Sequence, residues 1–135
     1  MAKEPTFENA LAFAADLVRI PGLPGEEEAV ARRVREEMEA LGLDDVRVDE
    51  VGNVLGVARG RGEGPPVLLA CHLDVVDEGD HGAWEHPPFS GALEGGFLHG
   101  RGAMDIKGPL ALQTYAAAAL AGRAPGDVLV AHTVM

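Results

Sequence analysis

His72 and Asp74 lie two residues apart, directly after an unbroken apolar run, Val67-Leu68-Leu69-Ala70-Cys71. Such a run is the mark of a strand buried on both faces. Side chains two apart on a strand point the same way, roughly 6.5–7 Å from one another along it. The imidazole and the carboxylate therefore leave the C-terminal end of the strand together, where open parallel sheets bind ligands. A carboxylate beside a histidine fixes its tautomer and raises its basicity, as around many metal-binding imidazoles. A partly exposed His and Asp in an ordinary turn would give the same short pattern. Cys71 faces the other way and reads as a small core residue.

A second constellation is Gly100-Arg101-Gly102-Ala103-Met104-Asp105-Ile106-Lys107-Gly108. Its three glycines allow sharp backbone turns beside a ligand. Asp105 stands just before a helix start, so it is either a ligand or a plain N-terminal carboxylate. Two rival motifs are excluded. A dinucleotide fingerprint needs glycine where Asp105 stands, and a phosphate loop needs Gly-Lys-Ser/Thr where the order is Lys107-Gly108-Pro109.

The elements that must carry these residues follow from periodicity. Phe7, Leu11, Ala14, Leu17 and Val18 predict an amphipathic helix over roughly residues 6–20, ended by Pro21-Gly22-Leu23-Pro24-Gly25. Glu26-Glu27-Glu28 opens a second helix with negative charge at its positive end. Its buried stripe is Val30, Val34, Met38 and Leu41, and Gly42 stops it. Val46 and Val48, a turn at Gly52-Asn53, and the run 54–58 predict two strands. A polar loop covers about 77–90, and Ala92 to His99 forms a hairpin around Gly95-Gly96. Pro109 to Ala121 is a third helix, with Pro109 in its first turn, and Val128 onward is a last strand. Interleaved helices and apolar strands predict a layered α/β/α domain with a largely parallel central sheet. The last strand runs out at Met135 without a closing helix, so the expectation is a truncated domain with exposed apolar surface along that strand.

The chain has 135 residues, enough for one domain, with 47% hydrophobic residues and only 4% aromatics, so the core must be aliphatic. Its formal charge is −11, which repels phosphate backbones and anionic lipid and so excludes nucleic acid and membrane surfaces as partners. A single cysteine excludes an internal disulfide and any CxxC site. No charged-then-apolar leader opens the chain, and its location is expected to be cytoplasmic. Only two lysines occur, Lys3 and Lys107, and the second falls inside the glycine-flanked motif.

His72-Leu73-Asp74-Val75-Val76 followed by the glycine-flanked Asp105 resembles the zinc-dependent aminoacylase, acetylornithine deacetylase, succinyl-diaminopimelate desuccinylase and glutamate carboxypeptidase family. The likeness runs over nearly the whole chain, including Gly25-Glu26-Glu27, Gly52-Asn53-Val54, Trp84 and Pro88-Phe89. It implies that residues 1–135 are the N-terminal portion of a metallohydrolase catalytic domain, with the family's dimerisation domain absent. By this resemblance His72 binds one of two zinc ions, for which cobalt or manganese can substitute, and Asp105 bridges both. Asp74 supports His72, and a cis peptide after Asp105 turns its carboxylate towards the metals. The implied reaction is hydrolysis of the amide bond of N-acyl amino acids or small peptides through a metal-bridging water. The implied base and a further ligand are adjacent glutamates at the end of the strand that here finishes Thr133-Val134-Met135. The chain alone is therefore expected to be inactive, and homo-oligomeric association is expected. The alternative is a non-enzymatic truncated paralogue acting as a binding domain. His81, His86, His99 and His132 read as surface or core histidines, and Arg101 and Lys107 as residues that hold the loop by hydrogen bonds.

Overall fold

The computed structural model describes all 135 residues. The first helix, α1, spans Phe7–Val18, and Thr6 caps it by accepting a hydrogen bond from the Asn9 amide at 3.2 Å. The second, α2, spans Glu28–Ala40, and the predicted stripe of Val30, Val34, Met38 and Leu41 is buried as expected. Glu27 occupies the cap position of α2 but gives no side-chain cap bond; its Oε1 instead accepts from the Met135 amide at 3.1 Å. Strands β1 (Asp44–Val48) and β2 (Val54–Ala58) form the predicted antiparallel pair. Asp49 organises their turn: Oδ1 accepts from the amides of Val51, Gly52 and Asn53 at 2.9–3.1 Å. Strand β3 (Val67–His72) follows, then the hairpin β4 (Ala92–Glu94) and β5 (Phe97–His99). Helix α3 (Gly108–Leu120) and strand β6 (Val128–Thr133) complete the chain.

The expected α/β class holds, but two details of the layering differ. The main sheet has the order β1-β2-β6-β3 and is mixed, not largely parallel. Only β3 and β6 run parallel, while β1-β2 and β2-β6 are antiparallel. Helices cover one face, against which Val54, Val128, Val130 and His132 are buried. The opposite face carries Leu68 and Leu129, paired in register, and is open, so an α/β/α sandwich is not formed by these residues. The run at 67–71 is consequently not buried on both faces: it is an edge strand, with Val67 55% and Leu68 61% exposed. Apolar exposure falls on this strand more than on the last one, because β6 sits between β2 and β3. No helix is long and apolar enough to cross a membrane.

A charged knot ties the helices together. Glu37, almost wholly buried on α2, accepts hydrogen bonds from Lys3 at 2.6 Å, Arg33 at 2.8 Å and the Tyr115 hydroxyl of α3. Burial alone would push the Glu37 carboxyl up, yet these three donors outweigh it and hold the group below its ordinary range. Arg33 also reaches Asp16 of α1 at 3.1 Å and lies 4.8 Å from the centre of the Phe13 ring. The sequence offered a signal for Glu37: it stands three residues after Val34 and four before Leu41, inside the buried stripe.

His132 is the second buried polar group with a consequence. Thr114 Oγ1 spends its proton on the Leu110 carbonyl at 2.9 Å, so it accepts from His132 Nε2 at the same distance. The imidazole is thus the Nε2–H tautomer, with Nδ1 buried and unpartnered. Burial lowers its pKa from 6.5 to about 4. Between those values the unfolded chain takes a proton that the folded chain refuses, so stability falls as pH drops through that window. Urea denaturation at pH 7 and pH 4.5 should show the parent losing about 2–3 kcal/mol more than His132→Gln. An equal acid loss in both would show that His132 is not the group responsible.

Candidate metal centre

Each half of the candidate site rests on a different element. His72 ends β3, where Leu73 N donates to the Thr133 carbonyl at 2.8 Å and so keeps the chain in the sheet one residue further. The segment then leaves the sheet, and Val75 N donates to the Gly22 carbonyl at 2.9 Å in the connector after α1. Asp105 lies in a tight turn, residues 103–107, between the β4-β5 hairpin and α3. Its backbone is not helical, and the Asp105-Ile106 peptide bond is cis, as the resemblance implied. Asp105 caps nothing: α3 has no side-chain cap bond, and the one polar partner of Asp105 is His72.

The two meet with His72 Nε2 3.2 Å from Asp105 Oδ1. On the other side of the ring, Nδ1 is 3.0 Å from both the carbonyl oxygen and Oδ1 of Asp74. Its N–H is directed at the carbonyl, and Oδ1 of the buried Asp74 side chain is left near the ring without a hydrogen bond of its own. Both neighbours of Nδ1 are acceptors, so Nδ1 carries the ring proton. In the neutral ring Nε2 is then a bare lone pair facing a carboxylate lone pair. A proton on Nε2 or a metal cation between the two resolves that conflict. The observed separation suits the metal, since ligands at about 2.0–2.2 Å on a tetrahedral zinc ion stand roughly 3.3 Å apart. The residues present therefore fit part of a metal site.

They do not complete one. No group of three His, Cys, Asp or Glu side chains is arranged to hold an ion. The Asp105 side chain is 81% exposed and that of His72 37%, so the pair opens directly to water. A cavity of about 440 Å³ lies elsewhere, between the start of α2, the β1-β2 turn and Val134-Met135, and none of the three residues lines it.

The remaining expectations divide. Cys71 is buried and its thiol is pushed up by desolvation, as a core cysteine should be. His132 is core, and His81, His86 and His99 stand away from the pair, in ion-pair range of Glu78, of Glu94, and on the Glu94 carbonyl respectively. Lys107 does hold the loop, donating to the Ile20 carbonyl from a fully buried position, and burial draws its pKa down to about 8. Arg101 does not hold it by side-chain hydrogen bonds: its guanidinium lies 5.1 Å from the centre of the Trp84 ring, and Nε is buried without a partner. The role of the Ile20–Gly22 connector escaped the sequence. It read as a helix breaker, and nothing in its composition says that two of its carbonyls take bonds from both site segments.

Comparison with known proteins identifies the family and supports the fold. Residues 68–135, which include all three site residues, match the model of peptidase family M20/M25/M40. A succinyl-diaminopimelate desuccinylase of a Methylobacterium species is 40% identical over 129 residues, covering 90% of this chain and 32% of that protein. The chain spans a quarter to a third of the length of the curated relatives it matches. Among solved structures, an M20 family metallo-carboxypeptidase from Sulfolobus solfataricus superposes with a TM-score of 0.79 at 19% identity, covering 93% of this chain and 30% of its own. The Bacillus subtilis protein YXEP, a dinuclear metal-binding M20 peptidase, gives 0.65 at 15% identity, covering 94% of this chain and 34% of its own. These two likenesses speak for the fold. With the fold and the family match in agreement, this chain belongs to peptidase family M20/M25/M40.

Proposed function

We propose that residues 1–135 form the N-terminal part of the catalytic domain of a cytoplasmic metal-dependent amidohydrolase, acting on N-acyl amino acids or small peptides. In this reading His72 and Asp105 hold zinc, or cobalt or manganese in its place. Asp74 acts on the reaction through His72. The observation that carries it is the approach of His72 Nε2 to Asp105 Oδ1 at 3.2 Å, close to the separation of two ligands on one zinc ion. The desuccinylase and carboxypeptidase relatives support an amide-bond substrate. A divalent ion held there would polarise an amide carbonyl and make water acidic enough to attack near neutral pH.

The chain's own residues set the conditions for that chemistry. Asp74 occupies the Nδ1 side of the ring, so the lone pair on Nε2 is the one presented to the ion. Asp105 gives one oxygen to the His72 side and keeps a second, solvent-facing oxygen free for a further ion. Neither His72 nor Asp105 is free to act as general base while it is a ligand, and the one further acid beside them, Asp74, is buried on the far, Nδ1 side of the ring. That last fact favours a second reading, a binding domain without catalysis. A panel of N-acetyl and N-succinyl amino acids, offered with zinc, cobalt or manganese, separates the two. The 135-residue chain should be slower than a longer protein containing it by at least about 10²–10⁴-fold, the usual contribution of a general base. A longer protein equally inert on the whole panel would favour the binding domain.

A further inference from the structure

The two halves of the pair stand 33 residues apart in sequence, and neither bonds directly to the backbone of the other. Besides the direct packing of Gly102 against Val75, a third segment ties the two together. Gly22 accepts the Val75 amide at 2.9 Å, one residue beyond Asp74. Two residues earlier, Ile20 accepts the ammonium of Lys107, two residues beyond Asp105. Both site segments are thus fastened to one short connector.

Lys107 is an expensive choice for this duty. It is fully buried, and its ammonium has one hydrogen-bond partner. A buried charge so sparsely matched contributes little to stability, and an apolar side chain of similar volume is commonly as good or better. Packing does not require the charge either: the stem already lies along Gly102, with Cδ 3.2 Å from where a Cβ there would stand. Direction does require it, because an N–H···O bond fixes distance and angle where a methyl group would slide.

We propose that Lys107 is a positioning residue: by bonding the Ile20 carbonyl it fixes the Asp105 turn to the connector that also holds the His72 segment. The His72–Asp105 separation is set through that bond. This inference rests on the reading of the pair as a metal site. It concerns geometry, so its effect is on ion affinity and not on folding.

The test uses the 135-residue chain with ¹⁵N-labelled histidine, titrated with zinc alone, and reads the His72 ring resonances by NMR. Urea unfolding of the same samples is measured alongside. Lys107→Met should need at least about tenfold more zinc for the same His72 shift, the low end of what loss of an outer support costs a metal site. Its urea midpoint should be unchanged or higher. In a Cys71→Ala background, which leaves no second thiol and whose own zinc response is the reference, Lys107→Cys, alkylated with bromoethylamine while unfolded and then refolded, restores an ammonium at nearly the same reach and should recover zinc binding. An unchanged zinc response in Lys107→Met overturns the inference and leaves the site intact. Zinc loss that only tracks loss of fold, or that the restored ammonium fails to repair, overturns it too. No zinc response at His72 in the parent chain removes the metal reading itself, and the inference with it.

Discussion

Asp105→Ala should lower kcat/KM for N-acyl amino acids by at least about 100- to 1,000-fold in an active protein that contains this chain, as the loss of several kcal/mol of metal assistance implies. The expectation comes from how few groups share the work. Asp105 is the only carboxylate facing His72 Nε2, and no third donor stands ready to replace it. Its neighbours should respond differently. His72→Ala removes the nitrogen ligand, so bound metal per chain should fall along with activity. Asp74→Asn keeps an oxygen beside the ring but no longer a charge, so metal should stay while turnover slows by about 10- to 100-fold. Metal content by atomic emission and kcat/KM on one preparation read all three. An unimpaired Asp105→Ala, or an Asp74→Asn as damaging as Asp105→Ala, would place the chemistry on other residues.

The site was more legible in the sequence than the sheet that carries it, and the reason is locality. His72 and Asp74 could be placed on one side of a strand end because a two-residue spacing is a local fact. The three helices were legible for the same reason, since their stripes repeat within four residues. Sheet polarity is not local. Whether β2 lies beside β6, and which way round, depends on a pairing of Val54 with His132, 78 residues away. The run at 67–71 shows a related difficulty. Its composition says which residues favour burial, but not whether anything covers them, and here Leu68 and Val67 are exposed at the edge. Lys107 illustrates the opposite case. It reads as a residue that holds its glycine-rich loop by hydrogen bonds, but only the packed structure shows that it is fully buried and that its partner is the connector after α1.

The tightest packing beside the site predicts the other large effect, at Gly102. Its backbone is left-handed, with φ of 85°, and a Cβ there would stand 2.6 Å from Val75 Cγ1. Val75 is itself buried at 2% exposure and follows Asp74 directly, so it has no room to retreat without moving the His72–Asp74 segment. Gly102→Ala therefore combines about 1–2 kcal/mol of backbone strain with about 1–3 kcal/mol of overpacking, roughly 2–5 kcal/mol together. Gly95 is the proper control. It too is left-handed, with φ of 61°, but nothing lies within 4 Å of its Cβ position at the tip of the hairpin. Gly95→Ala should cost only the strain, about 1–2 kcal/mol. Urea denaturation of both variants gives the difference, and zinc titration read at His72 shows where it acts. Gly102→Ala should weaken the zinc response even where most of the chain is still folded, while Gly95→Ala should leave it unchanged. Equal stability losses in the two variants would mean that Val75 can yield, and that the turn before α3 is not wedged against the His72 strand end.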